Sequence, residues 1–230
     1  MLRGWSVRLR QKRFLSRCQG GAMQAYLETE LPDLRKDVHR ARYLAVDLEM
    51  TGLDATTDHI LSIGFVPVDK LNVNLSGACH RLISSDLGVG QSAVIHGIHD
   101  RDIDAAGSLR EALDALLVAL RGRVMLLHCA SLDMAFLQQA CQNLYGIPLL
   151  VPVVDTMALE DQRLQRNSNG QHGQSLRLSE SRQRYNLPDY YAHNALVDAV
   201  ATAELFLAQV SHRFGSQPGN LRQLPTLYRW

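Results

Sequence analysis

Apolar positions along the chain fall into two rhythms, and together they predict alternating strands and helices. Short, nearly unbroken apolar runs occur at residues 43–46 (YLAV), 59–68 (HILSIGFVPV), 71–83, 123–127 (RVMLL) and 151–154. Runs of that length and character suit buried strands. Asp69 and Lys70 join the second run to the third so tightly that the first three read as an antiparallel meander. Helical spacing is clearest at 108–121 (SLREALDALLVALR), where Ser108 and Glu111 form a capping-box pattern and Gly122 follows the end. Helices are also expected at 25–31 and 33–42 on either side of a break at Pro32, and at 131–144 with Ser131 as N-cap. Further helices are expected at 156–164, 176–185 and 195–212. The polar stretch 166–174 (RNSNGQHGQ) reads as a loop, and the tail from Gly215 as irregular.

This order predicts an α/β fold with a mixed β-sheet flanked by helices. With 230 residues, 46% hydrophobic and 20% charged, the chain is able to bury a sizeable core. No apolar run approaches the roughly 20 residues that span a bilayer, so no membrane is expected as a partner. Cys18, Cys79, Cys129 and Cys141 are scattered without CxxC pairs, which reads as reduced thiols in a cytoplasmic protein. The net charge of +1 is unevenly spread. Arg3, Arg8, Arg10, Lys12, Arg13 and Arg17 give the first 20 residues +6 with no acid, which leaves −5 for the rest. Residues 1–40 therefore read as a basic, helical N-terminal extension, 41–212 as the main domain and 213–230 as a C-terminal tail. A solvated extension, a nucleic-acid contact and a mitochondrial-type presequence all remain open for the basic start. The mildly acidic body argues against binding nucleic acid by blanket phosphate attraction, and is compatible with a site where metal ions supply positive charge.

Three groups of residues carry candidate chemistry. Asp47 and Glu49 end the first apolar strand two residues apart, so their side chains share a face. Two carboxylates there are costly unless a cation neutralises them, and oxygen-rich acidic sets suit Mg²⁺ or Mn²⁺. A lone pair of this kind is more often two solvated acids. Asp133 lies in the first turn of the helix after the RVMLL strand, where a helix dipole also explains an acid, but loops after sheet strands are common places for sites. His193 and Asp198 are five residues apart, about 140° around one helix, too far to share a site from a regular helix. With Asn194 as N-cap, His193 instead lies on the preceding turn and can reach toward a metal held by Asp198.

Taken together, VDLEMTGLD (46–54), HCASLDMAFL (128–137) and HNALVDAVATAELF (193–206) resemble the three motifs of the DEDDh 3′→5′ exonucleases. That family includes the proofreading epsilon subunit of bacterial DNA polymerase III, RNase T and oligoribonuclease. HGI (96–98) and VVDTMAL (153–159) fit the same order, and the resemblance covers about residues 43–210. It implies an RNase H-like fold, with Asp47, Glu49, Asp133 and Asp198 binding two divalent metal ions (Mg²⁺ or Mn²⁺) and His193 as general base. It also implies that Met50, Thr51 and His96 contact the terminal nucleotide. The second motif departs from the family's His-Asn-x-x-Phe-Asp, with Cys129 in place of Asn and Leu132 in place of Phe, which puts the local loop geometry in question.

The implied activity is hydrolysis of single-stranded DNA or RNA from its 3′ end, releasing nucleoside 5′-monophosphates. Such hydrolysis needs an in-line nucleophile and a stabilised leaving oxygen, and two metal ions can serve both. Imidazole, with an ordinary pKa near 6.5, suits proton abstraction from water near neutral pH. Aromatic residues make up only 6% of the chain, which fits a pocket holding a few terminal nucleotides rather than a long stacking track. The competing reading is a catalytically silent nucleic-acid-binding module or polymerase-associated proofreading module, which leaves a DNA polymerase or clamp partner open. The tail QLPTLY (223–228) loosely resembles a clamp-binding peptide, but Thr226 breaks that pattern, and docking on its own domain is the better reading. His80, His99 and Cys129 lack the spacing of a zinc site.

Overall fold

In the structure, a computed structural model, residues 2–84, 106–167, 173–191 and 193–229 are described. Two helices, α1 (Leu2–Leu15) and α2 (Gly21–Glu28), precede the sheet. Then come β1 (Arg42–Met50), β2 (Ile60–Asp69), the short β3 (Asn72–Val73) and β4 (Cys79–Leu82). Alternation follows, with α3 (Leu109–Leu120), β5 (Val124–Leu127), α4 (Ala130–Tyr145), β6 (Val151–Asp155) and α5 (Thr156–Asn167). The last elements are α6 (Leu178–Gln183), α7 (Ala195–Phe214) and β7 (Thr226–Arg229). The expected mixed sheet is present. Its order is β3-β2-β1-β5-β6-β7 with β4 also on β2, antiparallel from β1 outward on one side and parallel through β1, β5 and β6 on the other.

Alternation along β1 divides the core between the two faces of the sheet. Leu44, Val46 and Leu48 pack with Met23, Tyr26 and Leu27 of α2 and with the apolar sides of α3 and α4. Tyr43 and Ala45 point the other way, against Ala199, Ala203 and Phe206 of α7, where the Tyr43 and Phe206 rings lie 4.7 Å apart. Asp47 and Glu49 continue this second face, so the strand's own period aims them at α7. β5 pairs with β1 only from Tyr43 to Ala45, and the later part of β1 extends past it. The acids sit on that overhang.

Several local expectations are corrected. The 33–42 segment is not a helix: residues 34–40 are turns and a bridge, and Arg42 already begins β1. The Asp33 carboxylate accepts the Arg35 N–H, and that of Asp37 accepts the His39 N–H. Such side-chain bonds compete with helical ones. The segment then bonds to the chain near Gly219 and Leu221, burying Val38. The third apolar run is not one strand. Lys70 and Leu71 both take positive φ, a tight hairpin turn, and a 3-10 turn at Leu75–Gly77 separates β3 from β4. The tail is not irregular, because β7 pairs antiparallel with β6 from Val154↔Thr226 to Val151↔Arg229. Part of the QLPTLY string is therefore already a strand of this sheet.

The Ser108 capping box is present, with both reciprocal bonds made. α1 and α2 are tied to the domain. Val7 and Phe14 join the core, Gln11 donates to the carbonyls of Leu27 and Thr29, and the buried Tyr26 hydroxyl donates to Leu150 O at 2.8 Å. Tyr26→Phe strands that carbonyl and is expected to cost about 1 kcal/mol, measured as a shifted urea midpoint at unchanged slope. A midpoint equal to that of the unaltered protein would show that the hydroxyl is not holding α2 to the strand.

Candidate active site

Asp47, Glu49 and Asp198 each offer a carboxylate oxygen such that these atoms all lie within 4.8 Å of one another. Glu49 is buried, and Asp47 and Asp198 are half-buried. Asp133, 5% exposed, stands outside that tight triple but beside it, close enough to the backbone N–H of Leu48, between the two strand acids, for that dipole to favour its charged form.

α7 brings Asp198 to the strand through a contact that only glycine permits. Gly64 on β2 lies opposite Asp47, with Asp47↔Gly64 in the register. A Cβ at Gly64 would fall 2.1 Å from the Ala195 carbonyl carbon and 2.2 Å from Leu196 N. The first turn of α7 therefore rests on bare backbone. Asn194 caps the helix as expected, accepting the N–H groups of Leu196 and Val197. His193 lies outside the helix with φ of 70°, and its N–H donates to Asp198 Oδ2 at 2.8 Å. The histidine side chain is exposed, one residue before the cap. This is the geometry that the five-residue spacing required.

The second motif shows what replaces its missing asparagine. Cys129, not Ser131, is the N-cap of α4, in the left-handed region with φ of 68° and no side-chain cap bond. Asparagine tolerates that region better than cysteine does. The cap is supplied from the end of β6, where Asp155 accepts the N–H groups of Cys129 (3.2 Å), Ala130 (3.1 Å) and Met157 (2.9 Å). Sequence reasoning gave Asp155 no role, although an acid between a short strand and a helix is itself a capping signal. Leu132 packs against the core. His128 has both ring nitrogens engaged, with Thr156 Oγ1 and Leu176 O at 2.9 Å each.

The nucleotide-contact expectations are placed as follows. Met50 ends β1 opposite Ile60, after a bulge, and is half-buried. Thr51 closes the loop to β2, since its hydroxyl donates to Asp58 and accepts the His59 N–H. His96, with HGI, lies outside the described residues.

Burial first, then mutual repulsion, raises the carboxyl groups. Glu49 is pushed up to about 7 by burial, then by the charges of Asp198 and Asp133. Asp133 is also pushed up to about 7 by burial, opposed by the nearby backbone N–H groups of Asp133 itself and Leu48. Asp47 is raised well above the ordinary range by burial and by Asp133, Asp198 and Glu49. Asp198 is raised by burial, against the His193 N–H and the Arg182 charge. An all-oxygen donor set that resists ionising without a counter-charge fits a hard divalent cation.

These features define a nuclease-type acidic site at the end of a central strand. A family model described as exonuclease (RNase T) matches residues 44–206. The chain belongs to that family, and the order of its four acids and one histidine follows the DEDDh pattern. Among similar sequences, the DNA polymerase III subunit epsilon of Treponema pallidum is 29% identical over 189 residues, 80% of this chain and 85% of the relative. The DNA polymerase III PolC-type of Thermotoga petrophila is 27% identical over 192 residues, 80% of this chain. The chain spans only 13% of that polymerase. Among solved structures, the nuclease domain of 3′hExo, a DEDDh family member bound to rAMP, matches with a TM-score of 0.63 at 13% identity, covering 80% of this chain and 99% of that one. The likeness shows the fold, the RNase H-like mixed sheet flanked by helices. DEDDh exonucleases use divalent metals.

Two predictions follow from this geometry. Raised carboxyl pKa values favour the protonated groups in the fold, so the stability they contribute is full below about pH 4 and is lost as pH rises through about 7. In chelator the melting temperature is therefore expected to fall between pH 5 and pH 8. Mn²⁺ or Mg²⁺ at pH 8 should restore it in the unaltered protein but not in Asp47→Asn. Gly64→Ala is expected to lift the first turn of α7 and lower exonuclease rate about 100-fold or more, as a displacement near 1 Å does. An active Gly64→Ala enzyme would show that the turn can shift without moving Asp198.

Proposed function

We propose that this domain removes nucleotides from the 3′ ends of single-stranded DNA or RNA and releases nucleoside 5′-monophosphates, with Asp47, Glu49, Asp133 and Asp198 holding two divalent ions, Mg²⁺ or Mn²⁺. The observation that carries the reading is the convergence of Asp47, Glu49 and Asp198 within 4.8 Å, with the buried Asp133 near Leu48 on the strand between them. When bound, such ions supply an activated water and stabilise the leaving oxygen. The chain's own residues do the rest. The four acids set the place of the scissile phosphate by holding its counter-charges at the end of β1. His193, exposed and one residue before the α7 cap, takes the proton of the attacking water.

Single-stranded ends suit the surroundings. Leu53 (78% exposed) and Tyr191 (98% exposed) lie within a few residues of Glu49 and His193 and offer apolar surface to unpaired bases. The relatives support the same direction and polymer. One is named 3′-5′ exonuclease DinG, from Staphylococcus haemolyticus, 29% identical over 184 residues. A structural neighbour is E. coli Exonuclease I in complex with a dT13 oligonucleotide, with a TM-score of 0.60 at 16% identity.

A degradation panel tests the reading. Single- and double-stranded DNA, RNA and dinucleotides, labelled at either end, are incubated with Mg²⁺ or Mn²⁺. Release of 5′-monophosphates from 3′ ends is expected, lost in Asp47→Ala and Asp198→Ala and reduced about 10²–10⁴-fold in His193→Ala. Undiminished release by Asp47→Ala, or release from 5′ ends, would overturn it.

A further inference from the structure

The segment that delivers His193 is thinly held. Residues 188–191 are exposed, as are His193 and Asn194. What fixes this stretch lies beneath it. Arg182, on α6, is 3% exposed. Its Nη1 donates to the Ala201 carbonyl of α7. Its Nη2 donates to Pro188 O at 2.9 Å and to Glu204 Oε2 of α7 at 2.9 Å. The guanidinium also lies 4.7 Å from the centre of the Tyr190 ring, and the Tyr190 hydroxyl donates to Glu204 Oε1 at 3.0 Å. One buried cation thus joins α6, the 188–191 segment and the middle of α7.

We propose that Arg182 is a positioning residue for His193: through Pro188, Tyr190 and Glu204 it fastens the segment carrying the histidine to the helix carrying Asp198, and so sets where the imidazole stands relative to the four acids. The inference rests on the reading of His193 as the proton acceptor.

Three arguments support it. The arrangement needs a planar fork, because one group must reach two carbonyls and a carboxylate and also lie along a ring, which a lysine cannot do. A charge buried here is costly, and Arg182 Nε has no partner, so the site is not the cheapest way to pack α6 on α7. The clamp also spans the boundary that matters. Asp198 is fixed by α7 and by the Gly64 contact, whereas His193 is outside the helix and bonded to Asp198 only through its backbone N–H. Without the clamp, the side chain of His193 keeps its sequence position but loses its support. A positioning error of about 1 Å is enough to cost about 100-fold in rate.

The test is a double-mutant cycle on a single-stranded oligonucleotide labelled at its 3′ end, with kcat, KM and melting temperature measured for each protein. Arg182→Met is expected to lower kcat at least 10-fold with KM changed less than threefold. In a His193→Ala background the same substitution is expected to change kcat less than twofold, because the group it positions is gone. Tyr190→Ala, at a partly exposed position, releases the segment without opening the core. It should lower kcat in the same sense by a smaller factor, which keeps the inference testable if Arg182→Met does not fold. An equal loss in both backgrounds would overturn the clamp while leaving the role of His193 intact, and so would an unchanged kcat in Tyr190→Ala and Arg182→Met. A His193→Ala enzyme as active as the unaltered one would instead remove the histidine reading, and the clamp with it.

Discussion

Four carboxyl groups brought to the end of one strand repel one another, and each loses water there. Much of the surrounding structure follows from holding them against that repulsion. The period of β1 places Asp47 and Glu49 on one face, and Asp133 stands near Leu48 on the part of β1 that extends past β5. Gly64 lets the start of α7 settle on the sheet, so that Asp198 arrives where the strand acids already are. Among the described residues, no lysine or arginine forms an ion pair with the group. Arg182 acts on Asp198 less than His193 does, and its bonds go to Glu204 and to backbone carbonyls. A divalent cation is the counter-charge that such a set of oxygens suits.

The fold was legible where pattern and chemistry agree. The apolar runs located β1, β2, β5 and β6, and the Ser108 box located α3, because burial and capping act over few residues. Same-face alternation and the cap at Asn194 made Asp47, Glu49, His193 and Asp198 a workable set from local geometry, and the resemblance of three motifs singled out those four with Asp133. What escaped was what depends on distant partners. The turns at 33–40 answer to bonds with residues near 220, and β7 answers to an open edge on β6. Neither partner is near in sequence. Gly64 reads as one apolar-run position among others until the helix from residue 195 is placed upon it.

Cys129 illustrates how a motif can lose a residue and keep its geometry. The left-handed turn before α4 persists without asparagine because Asp155, from the next strand, accepts two of the helix's first N–H groups. The same carboxylate also takes the Met157 N–H at the start of α5. Two helices thus share one anchor, and the turn that carries Asp133 is held from β6 rather than from its own side chains. Glu160 does a related task farther out, where the buried carboxylate gathers Arg163, Arg184 and Tyr185 and joins α5 to the chain around α6. Site and support are built from different elements.

The pairing of β7 with β6 has a consequence for how the chain comes into being. Synthesis proceeds from the N-terminus, so β1, β5 and β6 are available long before residues 226–229 emerge. Until then the backbone donors and acceptors along the outer side of β6 face water, the condition in which strands recruit foreign partners. Sealing that side is left to β7, and a ribosome that stalls short of it would leave a nascent domain with its acidic site assembled and its sheet still adhesive.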